Sequence, residues 1–400
     1  MDRMPTHNEA AAEETRTEPS WVGVTSLALG VFALVTAEFL PASLLTPMAA
    51  DMGVSIGAAG QSVTTTSIVA GFAGIGVVIG TSRLDRRNVL LTLTTLLIIS
   101  SVIASFAANL PMLLASRFLL GIGLGGFWAM SVALAMRLVP GHLMPRAMSI
   151  IMAGVSLATV CAAPIGAWVG ATLGWRYAFA IPAVLGVITL VMQATAIPPL
   201  PAKTSASFAT LAAVLRRPAM QLCLCTILLV VTGHFAGFTY IRPFMEDIPH
   251  FGVEAISGIL LAFGIGGFLG NFVGGALAAR STRLGLATAA GGIAAAMFIT
   301  AFAGASQVVA GGAIVLWGLS FGMFPVNVQA FLSQASGDEA ESGGALMLTA
   351  FQIAISAGAI IGGLLVDSIG PQGVFGFAGV MALAGTLLIS AIRGVRTQPA

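Results

Sequence analysis

Residues 21–45 read WVGVTSLALGVFALVTAEFLPASLL. The run is longer than the about 20 apolar residues that carry a helix across the hydrocarbon core of a bilayer. Its one ionisable side chain is Glu38, in Leu34-Val35-Thr36-Ala37-Glu38-Phe39-Leu40-Pro41. Glu38 is the only carboxylate set well inside any apolar run of this sequence. A charge at membrane depth is costly, so such groups are rare and mark ion or substrate pathways. Hydrocarbon disfavours the ionised form, which lets the carboxyl take a proton from one side and release it to the other as its surroundings change. A structural carboxyl hydrogen-bonded to neighbouring helices is the alternative reading.

Composition places the rest of the chain in the same solvent. Hydrophobic residues make up 57% of the 400, and charged residues only 8%, against about 25% in soluble domains. The 49 glycines are the small residues that let membrane helices approach closely. A net charge of +2 gives no electrostatic footprint for nucleic acid. Cys161, Cys223 and Cys225 all fall in apolar runs and read as small apolar fillers. The histidines His7, His142, His234 and His250 are too scattered to make a metal centre or a nucleophile–base set, so neither an enzyme nor a metal protein is expected.

Twelve spans follow, at roughly 21–45, 57–80, 88–107, 111–136, 147–170, 177–196, 219–243, 255–279, 285–304, 308–333, 343–367 and 373–392. The expected class is an all-α membrane protein, because a chain in lipid must satisfy its backbone internally. Residues 197–218 hold Pro198, Pro199, Pro201, Lys203, Arg216 and Arg217 and read as a linker. The expected organisation is a disordered tail at 1–20, a six-span half at 21–196, the linker, a second half at 219–393, and a tail at 394–400. With the N-terminus inside, 14 of the 17 Lys and Arg residues fall on the cytoplasmic side, which places both termini there.

The halves echo each other. Met52-Gly53-Val54 matches Phe251-Gly252-Val253, Leu120-Gly121-Ile122-Gly123 matches Trp317-Gly318-Leu319-Ser320, and Pro164-Ile165-Gly166 with Gly174 matches Ile361-Gly362 with Gly370. Two six-helix halves with a site between them at mid-membrane are the plan of secondary transporters.

Arg117 is the second charge inside a span. It lies six residues after Pro111 in span 4, and Glu38 lies seven before Leu45 in span 1. The two spans run in opposite directions, so both residues sit at similar depth. Movement of Arg117 relative to Glu38 would change proton affinity. Arg117 can instead snorkel to the interface or cap carbonyls. Polar and aromatic residues of the spans are candidate substrate contacts: Gln61, Trp128, Ser131, His234, Phe238, Tyr240, Asn327 and Gln352, with Thr36, Thr64, Phe235, Asn271 and Gln329 beside them. As a set they suit an uncharged small molecule with many hydrogen-bonding groups and a flat ring. His234 is either a second proton site or a neutral hydrogen-bonding side chain. Glycines at every fourth position, Gly121 and Gly125, then Gly166, Gly170 and Gly174, then Gly266, Gly270 and Gly274, form packing faces. Gly121-x-Gly123-x-x-Gly126 follows no strand, so it is no dinucleotide fingerprint and no cofactor is implied. Asp85-Arg86-Arg87, between spans 2 and 3, can latch helix ends through carboxylate–Arg pairs or serve only as a topology signal.

These residues resemble the major facilitator superfamily, in its proton-coupled efflux branch. Arg117-x-x-x-Gly121-x-Gly123 resembles the branch's span-4 motif associated with proton transfer. Gly154 followed by Ala163-Pro164-Ile165-Gly166 resembles its span-5 antiporter motif, with Ala163 in place of the usual glycine. The turn at Asp85 lacks the family's Gly-x-Leu lead-in. Glu38-Phe39-Leu40-Pro41, Gly60-Gln61-Ser62-Val63-Thr64, Gly125 to Ser131 and Phe238-Thr239-Tyr240-Ile241-Arg242-Pro243 are similar to nucleoside-exporting members of that branch. The resemblance implies a monomer in the bacterial inner membrane that exports inosine- or guanosine-like nucleosides by proton antiport with alternating access. Export of sugars or of antibiotics such as chloramphenicol is the alternative, followed by a membrane sensor that transports nothing.

Overall fold

A computed structural model describes residues 19–81, 83–201, 213–336 and 339–391. The expected tails at 1–20 and 394–400, and the middle of the linker, lie largely or wholly outside the described residues. The chain is an all-helical, multi-pass membrane protein. Its first helices are α1 (Trp21–Met52), α2 (Ile56–Gly80), α3 (Arg86–Ser105), α4 (Leu110–Leu138), α5 (Met144–Thr172) and α6 (Trp175–Ala196). After the linker come α7 (Pro218–Thr239), a short helix Ile241–Asp247, α8 (Val253–Arg280), α9 (Thr282–Ala303) and α10 (Gln307–Ser336). The last stretch, Ala340–Ala391, is bent at Gly370 into α11 (340–369) and α12 (371–391). Ten stretches of the described residues are long and apolar enough to cross a membrane. The 25-residue α2 adds to them, and the tenth stretch, Gly343–Ala391, contains the bend.

Local chemistry sets the ends. Ser20 Oγ accepts from Gly23 N at 3.2 Å at the start of α1, and Asn109 Oδ1 accepts from Met112 N at 3.0 Å at the start of α4. Both supply an acceptor to an otherwise orphaned N–H. α1 stops at Gly53, whose φ of 64° is the left-handed cap that favours glycine. The breaks between α5 and α6 and between α11 and α12 are both made by a glycine at positive φ, Gly174 at 102° and Gly370 at 80°. The sequence echo between these two glycines is therefore a shared backbone requirement.

Span 7 differs from its expected run to 243. The helix ends at Thr239 and restarts at Ile241. Pro243 explains the break: its ring excludes the carbonyl of the residue four before it, which is Thr239, and it has no N–H to offer that carbonyl.

Within the first half α2 packs on α4, α1 on α5 and α6, and α3 on α4 and α6. Within the second half α7 packs on α11 and α12, and α8 and α9 pack on α10. Gly121 and Gly125 lie against Thr66, Val69 and Ala70 of α2, and Gly166 lies against Leu40 and Ser43 of α1. The halves meet where α2 crosses α11 and α5 crosses α8, and where α1 touches α7 and the short helix.

Candidate functional site

The halves are sealed on the face that the Lys and Arg distribution assigns to the outside. Asp367, at the end of α11, accepts from Ser55 Oγ at 2.7 Å and from Gly57 N at 3.0 Å. Arg242 is buried, pairs with Glu246 at 2.7 Å, and donates to Ser43 O of α1 at 2.5 Å. Between these contacts Tyr240 donates to Ala359 O at 2.8 Å, and its ring faces Gly60, Gly362 and Gly363. A side chain at any of those three glycines would collide with the ring. Tyr240 is thus a wedge between the halves rather than a group free to meet a ligand.

Beneath this seal lies Glu38, 7% exposed. Its carboxyl faces the Gln352 side chain of α11, from the opposite half. The Cβ of Gln352 in turn rests near Gly71 of α2. Glu38 Oε1, Gln352 Oε1, Thr36 Oγ1 and Thr64 Oγ1 are all buried with no hydrogen-bond partner among the described residues. Buried polar atoms are nearly always paired, so the unpaired oxygens on the facing Glu38 and Gln352 side chains demand a functional account.

Arg117 is 1% exposed and lies at the depth of Glu38, as the spacing from the span ends suggests. It does not pair with the Glu38 carboxyl. Among the described residues the ion pairs are Arg176–Asp51 and Arg242–Glu246. Arg117 Nη1 donates instead to Ala37 O at 2.8 Å, and the guanidinium stacks 4.5 Å from the centre of the Phe179 ring. The carbonyl and the ring are fixed partners within its own half, whereas the Glu38 carboxyl is turned toward the other half. Arg117 Nε and Nη2 are left without partners.

An aromatic cluster continues from Glu38. Phe39 packs on Phe235 at 6.0 Å and on Phe238 at 5.8 Å between ring centres. His234 stacks on Phe321 of α10 at 3.3 Å and on Phe238 at 5.7 Å. Trp317 Nε1 donates to His234 Nδ1 at 2.9 Å, and Phe263 of α8 closes the group 5.1 Å from Trp317.

The other sequence candidates are dispersed. Gln61 follows Gly60 on the part of α2 that faces Tyr240. Trp128 packs on the core of the first half. Ser131 donates back to Phe127 O at 2.6 Å within α4. Asn327 is not near Glu38: its amide donates to Met323 O at 2.8 Å and Gly274 O at 3.2 Å, and the side chain lies against Gly285 at the start of α9. Pro164 is buried inside α5. Asp85 and Arg86 form no carboxylate–Arg latch. Asp85 Oδ1 caps α3 through Arg87 N at 2.8 Å and accepts from Leu200 N at 3.0 Å. Arg86 turns to Thr81 Oγ1 at 3.1 Å. The Leu200 N–H is the main reason the Asp85 carboxyl is held below the usual carboxylate range, with the Arg87 and Asn88 N–H groups and the Arg137 charge adding to it. The one carboxyl of this turn thus caps α3 and anchors the chain after α6 instead of meeting an arginine fork.

Sequence reading passed over Trp317, Phe321, Phe263, Arg242 and Asp367 as site residues. Trp317 stood out only as part of a repeat echo, and Asp367 finds its partners 310 residues away, where no local pattern points. Among the described residues no group of three or more His, Cys, Asp or Glu could hold a metal ion.

A carboxyl at the seam of two helical halves, with an arginine beside it and an aromatic cluster below the seal, defines a membrane transporter of the two-half type. Residues 27–359 match the major facilitator superfamily model, and the chain belongs to that superfamily. It is 40% identical to the purine ribonucleoside efflux pump NepI of Shigella sonnei (strain Ss046) over 375 residues, 94% of this chain and 95% of that protein. The protein of the same description from Escherichia coli (strain K12) is 39% identical over the same coverage. Two solved structures share the fold. A crystal structure of a D-xylose–proton symporter has a TM-score of 0.69 at 18% identity, covering 92% of this chain and 96% of that one. A partially occluded inward-open xylose transporter XylE from E. coli scores 0.71 at 16% identity, covering 93% and 97%.

Proposed function

We propose that the chain exports purine ribonucleosides of the inosine or guanosine kind in exchange for protons, by alternating access of its two halves. The observation that carries the proton half of this reading is the Glu38 carboxyl, buried at the seam, turned to Gln352 and left with an unpaired oxygen. The efflux pumps at about 40% identity over nearly the whole chain support the nucleoside half.

In the protonated state the neutral carboxyl is compatible with a closed, dry seam and can donate to the free Gln352 Oε1. When the proton leaves toward the cytoplasm, the carboxylate gains a reason to turn to Arg117, which has two free nitrogens nearby. That turn parts Glu38 from Gln352 and loosens one half from the other. The nucleoside then rides outward against Phe39, Phe235 and Phe238, with His234 beside those rings as its polar contact. A neutral substrate makes the exchange electrogenic: each proton entering draws about 2.3 kcal/mol per 100 mV of membrane potential. The transporter acts as a monomer in a bacterial inner membrane, with both termini cytoplasmic. A reporter fused to the C-terminus and active only in the cytoplasm, with the mass of the detergent-purified protein, checks both; an outward reporter or a dimer contradicts them.

The test is proton release from purified protein in weak buffer. Inosine and guanosine release protons, and arabinose and chloramphenicol do not. Silence toward both nucleosides, or release by chloramphenicol alone, overturns the substrate assignment.

A further inference from the structure

Trp317 belongs to none of the groups that carry the exchange, yet it holds one atom of the site in place. Its indole N–H, which can only donate, points at His234 Nδ1 at 2.9 Å. Nδ1 must therefore be the lone-pair nitrogen of the imidazole, and the ring hydrogen sits on Nε2. The faces of that ring are covered by Phe321 and Phe238, so its position is fixed by stacking as well as by the bond. No hydrogen bond among the described residues uses Nε2.

We infer that Trp317 is a positioning residue that locks His234 as a neutral imidazole donating through Nε2, and that this N–H recognises an acceptor atom on the edge of a flat substrate ring. The second clause rests on the nucleoside reading above; the first does not. A purine with a ring nitrogen or carbonyl on its edge fits this donor, while the phenyl rings beside it fit the purine face. A site built around a fixed donor rejects a ring that offers no acceptor there, because the N–H is then buried unpaired.

A locked donor also separates recognition from proton coupling. The rings against His234 are Phe235, Phe238, Phe263, Trp317 and Phe321, and none of them titrates. On the elements packed against the cluster, the charged groups with described side chains include Glu38 and Asp51 (paired with Arg176) on α1, Arg242, Glu246 and Asp247 just past α7, Glu254 and Arg280 at the two ends of α8, and Asp367 toward the end of α11.

The experiment is nitrogen NMR on full-length protein labelled at histidine, with the His234 signal assigned by its loss in His234→Gln. From about pH 5 to about pH 8, the window in which an ordinary histidine titrates, His234 keeps one protonated Nε2 and one bare Nδ1. Trp317→Phe removes the donor that selects one tautomer, so the signal becomes a mixture of the two neutral tautomers. A wild-type His234 that titrates in this window, or a Trp317→Phe spectrum identical to wild type, overturns the lock. Transport of inosine by the same proteins supplies the second readout. Trp317→Phe raises KM by about tenfold with little change in kcat, and His234→Gln, which keeps a donor, retains more affinity than His234→Leu. Equal KM values for His234→Gln and His234→Leu overturn the recognition role. If inosine is not carried at all, the nucleoside reading fails while the NMR result still decides the lock.

Discussion

Arg117 carries its charge at the depth of Glu38 yet gives its one hydrogen bond to a backbone carbonyl and its flat face to Phe179. Replacing it with alanine leaves the Ala37 carbonyl buried and unpaired, which costs about 1–3 kcal/mol. Gradient-driven transport in proteoliposomes should fall by about tenfold or more. Lysine keeps the charge but cannot stack as a planar fork, so Arg117→Lys should lie between alanine and wild type. Wild-type rates for both substitutions would remove Arg117 from the pathway. Sequence reading found this residue and Glu38 because a charge in an apolar run is visible without any partner. It gave their shared depth but left open whether Arg117 meets Glu38 or caps a carbonyl, because depth follows from distance along a span, whereas the direction a side chain faces depends on helix rotation. Trp317 illustrates the other limit: one tryptophan in an apolar run looks like core until the imidazole against it is placed.

At the scale of helices, the wedge made by Tyr240 depends on the missing side chains of Gly60, Gly362 and Gly363. A valine at Gly60 would strike the Tyr240 ring, so the outer face could not close. Gly60→Val should raise the labelling of a cysteine placed at Phe39 by an impermeant maleimide added outside, and should abolish transport. Unchanged labelling would mean that this crossing does not gate the outer face. Tyr240→Phe loses only the bond to Ala359 O, worth about 1 kcal/mol, and should shift the same labelling about fivefold. The break beside this wedge was legible in principle from Pro243. The expected span ran through it because a hydropathy window does not register a missing N–H.

The turn before α3 makes a pH prediction. The Asp85 carboxyl is held below its ordinary range by N–H groups, so its contribution is present above that range and is lost as pH falls through the lowered value. Asp85→Ala should therefore melt below wild type at neutral pH, and the gap in Tm should close only below about pH 4. A gap that stays constant down to about pH 2 would show that the carboxylate charge contributes nothing there.

For the whole molecule, the twelve spans and the class of fold were legible because lipid imposes one rule on every span. The two glycines of matching conformation, Gly174 and Gly370, were legible as echoes because a positive φ restricts the residue type. The seal between the halves was not, because Ser55, Gly57 and Asp367 come together only once both halves are packed. Cysteines at Ser55 and Asp367, in a chain whose Cys161, Cys223 and Cys225 are replaced, should form a disulfide that stops transport and is released by reductant. Transport that continues with the bridge intact would exclude opening at this face.

The most direct test of the account separates coupling from movement. Glu38→Gln keeps a side chain of the same shape that takes no proton. Reconstituted with inosine on both sides, this variant should exchange labelled for unlabelled inosine more slowly than wild type, because a permanently neutral group never turns to Arg117 and bound substrate alone must part the halves. With a pH gradient as the only driving force, it should accumulate none. Accumulation by Glu38→Gln at the wild-type rate, still dependent on the gradient, would contradict the assignment of Glu38 as the proton carrier.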